Sequence, residues 1–285
     1  MTWRELLAEV EAALTAGSAS SPQVDARRLV ERASGLDGAE LVLGLDRVAT
    51  QRGVAHLDAM LRRRLRGEPL QYVVGHWGFR SLDLMIDGRA LIPRPETEQV
   101  TELALAELRR RTATGPVVVA DLGTGSGAIA LSVAKEMVTA EVWASDISAD
   151  ALAVARANLA GLGRPAARVR LVEGDWFAAL PAELAGRLDL VVSNPPYVAE
   201  SDELPPEVAQ WEPPGALVAG PTGREHLDRI VAEATAWLAP AGSLVLEHAP
   251  TQAPALVAAA GAAGFTDVEV RPDLAGRPRV LVARR

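Results

Sequence analysis

The 285-residue chain contains no cysteine. That excludes disulfides, thiolate metal ligands and a cysteine nucleophile. Ring residues other than Trp are scarce, with three Phe and two Tyr, so the core must be built mainly from Ala, Val and Leu. The four His are scattered without metal-ligand spacing, and no metal is expected. No apolar run approaches the roughly 20 residues that span a bilayer. Met1 to Leu7 has an amphipathic helix pattern without the apolar centre of a signal peptide. These absences predict a cytoplasmic protein with no membrane attachment, and a monomer is expected.

Lysine is nearly missing too. Lys135 is the only one, and the remaining basic residues are Arg, which reads as compositional bias. The net charge of −8 argues against a dedicated nucleic-acid binder, so no stable nucleic-acid partner is expected. Residues 1–85 hold 11 Arg and 11 acidic residues, so residues 86–285, with 18 basic and 26 acidic, carry the whole imbalance. Hydrophobic residues make up 49%, enough for a sizeable core in one large domain or two smaller ones.

The first 70 residues read as helices. Leu6, Val10 and Leu14 recur at four-residue spacing. Ser21-Pro22 opens a second helix reaching about Ser34, and Thr50 caps another with Val54, Leu57, Leu61 and Leu65 on one face. Arg62, Arg63, Arg64 and Arg66 end that helix; they suit either its C-terminal dipole on a solvated face or contact with a polyanion or acidic partner. Leu82, Leu84 and Ile86 alternate with polar residues, Asp87-Gly88 supplies a turn, and Ala90-Leu91-Ile92 follows, which predicts a hairpin. A helix is expected over residues 96–111. From Val117 onward strand and helix patterns alternate, predicting a doubly wound parallel sheet. Val268 to Arg271 and Arg279 to Val282 suggest a terminal antiparallel pair. The stretch from Val198 to Gly223, with five prolines, reads as a loop without clear helix or strand. A loop so long is usually functional, here a substrate-side wall that Trp211-Glu212-Pro213-Pro214 could line.

Three motifs carry chemistry. Asp121-Leu122-Gly123-Thr124-Gly125-Ser126-Gly127 lies between a strand and a helix. Glycines let the backbone turn sharply and approach a ligand, and the helix start offers N–H groups to an anion. A dinucleotide and S-adenosylmethionine both suit such a loop, and Asp146 at the end of the next strand suits the ribose hydroxyls of either. Gly174-Asp175-Trp176-Phe177 follows the third strand; Asp175 can accept from an adenine amino group and Trp176 can pack on the ring. Ser193-Asn194-Pro195-Pro196-Tyr197 ends the fourth strand. The prolines remove N–H groups and fix φ, leaving carbonyls free to face a ligand. The Asn194 oxygen and the Pro195 carbonyl can grip both hydrogens of an NH2 group while Tyr197 stacks on its plane. Two such bonds hold a delocalised nitrogen with its lone pair aimed, and accept charge as it develops. Methyl transfer to a planar amino nitrogen follows, needing the reacting atoms about 3–3.5 Å apart. Asn194, Pro195 and Tyr197 are therefore the candidate catalytic residues.

Leu91-Ile92-Pro93-Arg94-Pro95-Glu96-Thr97-Glu98, the Asp121 to Gly127 loop with Ala128-Ile129-Ala130-Leu131, Asp146-Ile147-Ser148, Asn194 to Tyr197, Glu212-Pro213-Pro214-Gly215-Ala216-Leu217 and Leu246-Glu247-His248 stand in order along the whole chain. In these pieces the chain resembles the bacterial release factor glutamine methyltransferases, the PrmC or HemK family. The Ile92 to Glu98 segment discriminates best, because Asn-Pro-Pro-Tyr also occurs in DNA adenine and RNA guanine methyltransferases.

The resemblance implies an α/β class I S-adenosylmethionine methyltransferase, a doubly wound, mostly parallel seven-stranded sheet with an antiparallel terminal strand. It implies a helical substrate-recognition domain over 1–75, a hairpin and linker over 76–95 and a methyltransferase domain over 96–285. It implies S-adenosyl-L-methionine as donor, S-adenosyl-L-homocysteine as product, and the N5 amide nitrogen of the Gly-Gly-Gln glutamine in class 1 peptide chain release factors as acceptor. Gly123, Thr124, Gly125, Ser126, Gly127, Asp146, Trp176 and Asn194 are its implied cofactor contacts, joined by Asp175 from the reading above. Asn194, Pro195, Pro196 and Tyr197 would bind the glutamine, and the N-terminal helices the release factor. Glu96 stands where Asp is common, and Trp211 where another aromatic often sits. An amino methyltransferase of adenine or guanine in nucleic acid is the alternative, and the acidic balance opposes it.

Overall fold

A computed structural model describes residues 1–17, 19–111 and 115–285. The chain divides into two compact units, Met1–Trp77 with Pro206–Trp211, and Gly78–Pro205 with Glu212–Arg285.

The first unit is helical: α1 (Trp3–Ala16), α2 (Pro22–Ser34), α3 (Gly38–Gly44), α4 (Gln51–Leu65) and α5 (Leu70–Val74). Thr2 and Glu5 close a reciprocal capping box at the start of α1, and Trp3, Leu6, Val10 and Leu14 turn one buried stripe inward. Pro22 opens α2, and the left-handed Gly35 ends it. Thr50 caps α4 by accepting from the Gly53 N–H at 3.0 Å. On α4 the inward face is Leu57 and Met60, whereas Leu65 is 46% exposed. The arginine cluster at its end is partly structural. Arg63 pairs with Glu68 and donates to the carbonyls of Tyr72 and Val73. Arg64, 9% exposed, bonds Asp25 at 2.7 Å and Glu207 at 2.9 Å. Its second partner lies on α9 (Pro206–Trp211), the one downstream segment that belongs to this unit.

The second unit carries a seven-stranded sheet. Its strands are β3 (Val117–Leu122), β4 (Ala140–Asp146), β5 (Val169–Glu173), β6 (Leu188–Ser193), β9 (Leu238–Glu247), β10 (Asp267–Pro272) and β11 (Pro278–Arg284), in the order β10-β11-β9-β6-β3-β4-β5. β3, β4, β5, β6 and β9 run parallel, and β11 is antiparallel to both β9 and β10. Both faces are covered, so each strand buries alternate residues on opposite sides. Val119, Leu190, Val192 and Val245 meet Leu105, Leu108, Ile129 and Leu131 of α6 (Pro95–Arg111) and α7 (Ala128–Glu136). Ala120, Val191, Leu244 and Leu246 meet Leu227, Ile230 and Leu256 of α10 (Glu225–Trp237) and α11 (Ala253–Ala262). α8 (Ala149–Gly161) links β4 to β5. No helix among the described residues is long and apolar enough to cross a membrane.

Two local expectations are corrected. The hairpin does not turn at Asp87-Gly88. It pairs β1 (His76–Phe79) with β2 (Leu82–Met85), and Arg80 makes the turn with φ of 51°. A non-glycine residue accepts that conformation only under tertiary constraint. Here Glu98 accepts from the Arg80 N–H at 2.8 Å, while Glu102 and Glu136 bind its guanidinium at 2.7 Å. Ala90 to Ile92 stay outside any strand, with Asp87 accepting from the Arg89 N–H in a local turn.

The Val198 to Gly223 stretch is also more ordered than its prolines suggest. β7 (Val198–Ala199) pairs in parallel with β8 (Val218–Gly220), and α9 lies between them in sequence. Gln252 pins both ends of the stretch, donating to the Tyr197 carbonyl at 2.9 Å and the Gly223 carbonyl at 3.0 Å. Gly223 has φ of +74°, and a Cβ there would lie 2.7 Å from the Tyr197 carbonyl oxygen. Gly223→Ala should therefore cost about 2–4 kcal/mol, since backbone atoms cannot step aside as a flexible side chain would. Thermal unfolding should register this as a drop of roughly 5–10 °C. An unchanged midpoint would refute the close approach.

Candidate active site

Beyond the C-terminal ends of β3, β4 and β6 lies a cavity of about 330 Å³, mostly apolar, within the size range of small-ligand sites. Gly123, Gly125, Asp146, Asp175, Trp176, Asn194 and Pro196 all line it. Thr124, Ser126, Gly127, Pro195 and Tyr197 are not among its lining residues.

The glycine loop closes on itself. Asp121 is wholly buried; its Oδ2 accepts from the Thr124 hydroxyl at 2.6 Å and from the Ala130 N–H at 3.1 Å. One N–H in the first turn of α7, that of Ala130, thus meets a carboxylate from the chain's own strand. Burial lifts the Asp121 carboxyl to about 7 against those two bonds, with the Asp146 charge adding to the rise. Gly127 caps α7 in the left-handed conformation, and the Ser126 carbonyl accepts from Asn158 at 2.9 Å. Of this loop, Gly123 and Gly125, lacking side chains, present bare backbone to the cavity.

Asp146 ends β4 with its carboxylate held by the Gly125 N–H at 2.8 Å and the Ser148 N–H at 2.9 Å. Burial raises its pKa, and these bonds oppose the rise. Two N–H groups leave lone pairs over for hydroxyl donors. Trp176 adopts φ of 48°, and its ring lies 3.1 Å from where a Gly123 Cβ would stand. The ring also meets that of His226 on α10, with centroids 5.2 Å apart. His226 lines the cavity, with its pKa lowered by burial. Nothing in the local sequence singles it out, since a lone His on a helix carries no spacing signal. Asp175 accepts from Arg229 at 2.7 Å, so part of its acceptor capacity is already engaged. A flat ring beside Trp176, hydroxyls at Asp146 and side-chain-free backbone at Gly123 and Gly125 together fit a nucleoside cofactor.

Asn194 enters from the end of β6. Its Nδ2 donates to the Thr97 hydroxyl at 3.1 Å, and among the described residues its Oδ1 accepts nothing. The Pro195 carbonyl likewise accepts no hydrogen bond among the described residues. Tyr197 points its hydroxyl at Glu247 Oε1, 3.2 Å away. Thr97 donates to the other oxygen, Oε2, at 2.8 Å. Glu247 ends β9, is 1% exposed and is lifted to about 7 by burial, against the bonds from Thr97 and Tyr197 and the charge of Arg279. Burial and the Glu247 charge raise the Tyr197 pKa.

One further acid shapes the walls. Glu212 pairs with Arg94 and accepts from the Ile92 N–H at 3.2 Å. It ties Arg89, Ala90 and Leu91 to Pro213, Gly215 and Ala216, which line the cavity. Trp211 lies in the first unit, 3.8 Å from where a Gly67 Cβ would stand. Thr97, Glu212 and Glu247 sit inside recognisable sequence pieces, yet no spacing rule links residues 97, 212 and 247.

Strand order, the reversed β11, the glycine loop after β3 and the acid ending β4 define a class I methyltransferase. Residues 5–75 match the family model described as PrmC N-terminal domain, and residues 94–210 match the Methyltransferase small domain. A release factor glutamine methyltransferase of Deinococcus radiodurans is 43% identical, over 100% of this chain and 99% of its own length. That of Xylella fastidiosa strain 9a5c is 41% identical, over 96% and 97%. Among solved structures, a methyltransferase from Pyrococcus furiosus aligns with TM-score 0.51 at 18% identity, covering 78% of this chain and 95% of that one. The hMettl16 catalytic domain aligns with TM-score 0.53 at 14% identity, covering 81% and 80%, and shares the fold. The chain belongs to the release factor glutamine methyltransferase family, and it is an S-adenosylmethionine-dependent methyltransferase.

The buried acids make stability depend on pH. Folded Glu247 keeps its proton up to about pH 7, whereas the unfolded chain releases it near the ordinary value of 4.5. Within that window the folded state binds more protons, so stability falls as pH rises. Glu247→Gln removes this component. Its stability should decline less steeply between about pH 5 and 7, by up to about 1.4 kcal/mol per pH unit. Urea melts across the interval measure this; parallel slopes for both proteins would contradict it.

Proposed function

We propose that this enzyme methylates the side-chain amide nitrogen of the glutamine in the Gly-Gly-Gln motif of class 1 peptide chain release factors. The observation that carries the reading is Asn194 at the cavity wall, whose side-chain oxygen and adjacent Pro195 carbonyl accept no hydrogen bond among the described residues, in a chain whose curated relatives are named for glutamine methylation. A primary amide has two N–H hydrogens and a delocalised lone pair. The two acceptors take one hydrogen each and hold the nitrogen in a single orientation. They also stabilise positive charge on that nitrogen as it is alkylated.

Gly123, Gly125, Asp146, Asp175 and Trp176 would hold S-adenosylmethionine, with Thr124, Ser126 and Gly127 keeping the loop in shape. Bound there, the cofactor supplies an electrophilic methyl group, and S-adenosylhomocysteine is the product. Asp146 takes hydroxyl donors on its remaining lone pairs, and Trp176 offers a ring face. Pro196 shapes the wall beside the amide. Tyr197, with its hydroxyl engaged by Glu247, stiffens the acceptor loop. The helical residues 1–75 serve substrate recognition, residues 76–95 connect, and residues 96–285 perform the transfer. The enzyme works as a monomer in the cytoplasm.

Incubation with labelled S-adenosylmethionine and, separately, a release factor, total RNA and DNA tests this reading. Label should enter the release factor alone. Label in RNA or DNA with none in the release factor would move the assignment to a nucleic-acid amino group. Asn194→Ala should lower kcat by about 10²–10³, the scale of a lost transition-state hydrogen bond, while the cofactor Kd changes less than about fivefold. The opposite pattern, weak binding with intact turnover of the bound complex, would remove Asn194 from substrate positioning.

A further inference from the structure

Asn194 can meet a substrate in two ways. Its amide carries a donor NH2 and an acceptor oxygen of nearly equal size, and a half-turn exchanges them. Only the oxygen can accept from a substrate NH2; the NH2 would oppose it. Nothing in Asn194 itself selects between the two. Behind it, Nδ2 donates to Thr97 Oγ1 at 3.1 Å. A hydroxyl both donates and accepts, so Thr97 alone does not select either. But Thr97 Oγ1 donates to Glu247 Oε2 at 2.8 Å. Its single hydrogen is committed there, and only its lone pairs remain for Asn194.

We infer that Thr97 and Glu247 are positioning residues for the methyl acceptor: the Glu247 carboxylate orients the Thr97 hydroxyl, which orients the Asn194 amide so that its oxygen meets the substrate NH2. This rests on the function proposed above. Neither residue lines the cavity, so both act through Asn194. The chain of bonds joins the first turn of α6, the end of β6 and the end of β9.

The relay has a direction that protonation reverses. A protonated Glu247 has a hydrogen to give. If Thr97 accepts it, the Thr97 hydroxyl is free to donate to Asn194, and the amide turns its NH2 outward. The groups facing Glu247 are the Thr97 hydroxyl and Glu96 from α6, Tyr197 from the loop after β6, and Arg279 from β11. Arg94 adds positive charge near Tyr197. Burial outweighs the stabilising partners and lifts Glu247 to about 7, which places the reversal near neutral pH.

The test uses the full chain with Thr97→Val, which keeps the shape and removes the hydroxyl, and Thr97→Ser, which restores it. Turnover is measured on a release factor at saturating S-adenosylmethionine, and cofactor binding by calorimetry. Thr97→Val should lower kcat about 10- to 100-fold with cofactor Kd within about threefold, and Thr97→Ser should recover to within about fivefold of the parent. The parent kcat should rise with pH through about 7, and this limb should vanish in Thr97→Val. A second readout needs no substrate. In nitrogen-15-labelled protein, the Asn194 side-chain NH2 signal, assigned by its loss in Asn194→Ala, should shift between about pH 5.5 and 8.5 in the parent and stay fixed in Thr97→Val. Turnover of Thr97→Val within twofold of the parent, or a parent signal that does not move, overturns the relay. If Thr97→Val fails to fold, the parent titration and Thr97→Ser still decide. If the parent leaves the release factor unlabelled, the substrate assignment fails, while the Asn194 signal still decides the relay.

Discussion

The buried carboxylate of Glu247 joins Thr97, 150 residues away in the chain, to Tyr197, 50 residues away. Burying a charge in an apolar core is costly, and the shift of this acid to about 7 expresses that cost. The return is geometric. Each carboxylate oxygen takes one hydroxyl, so α6, the Asn194 to Tyr197 loop and β9 are held by one group rather than by three separate contacts. Gln252 continues the tie by binding the Tyr197 and Gly223 carbonyls, which sets where the long proline-rich stretch begins and ends.

Asp121 plays the matching part on the other side of the cavity. It accepts from the Thr124 hydroxyl and from the Ala130 N–H in the first turn of α7, and Asp146 accepts from the Gly125 and Ser148 N–H groups. The glycine loop is thus shaped from behind by two acids. The cavity meets backbone whose polar groups are partly engaged already, the Gly125 N–H on Asp146 among them. Glu212 completes the pattern, fixing the linker and the Pro213 to Ala216 wall through Arg94 and the Ile92 N–H. Glu247 and Glu212 each meet hydrogen-bond donors on both carboxylate oxygens, whereas Asp121 meets its two donors through Oδ2 and its buried Oδ1 has none among the described residues.

Much of the architecture was legible locally. Strands buried on both faces appear as near-continuous apolar runs, such as Val117 to Ala120 and Leu188 to Val192, and helices between them follow their own period. The class of fold needs only that alternation. Asn194-Pro195 was legible for a similar reason, since proline's missing N–H and fixed φ and an amide side chain are local properties. The hairpin was misplaced because the Arg80 turn obeys no turn-residue preference. Three acids from α6 and α7 impose it, and they are near only once the sheet has formed. The proline-rich stretch looked structureless because its two short strands pair with each other and not with a neighbour in sequence.

The sequence by itself determined the doubly wound sheet, the glycine loop, the acid at the end of β4 and the proline-stiffened Asn194-Pro195 turn after β6, because period, proline chemistry and glycine freedom act over a few residues. Only the tertiary structure decided which hydroxyl the Asn194 amide meets and which acids stay buried. Those outcomes depend on desolvation and on hydrogen bonds between residues 50 to 150 positions apart, and no local pattern encodes such distances.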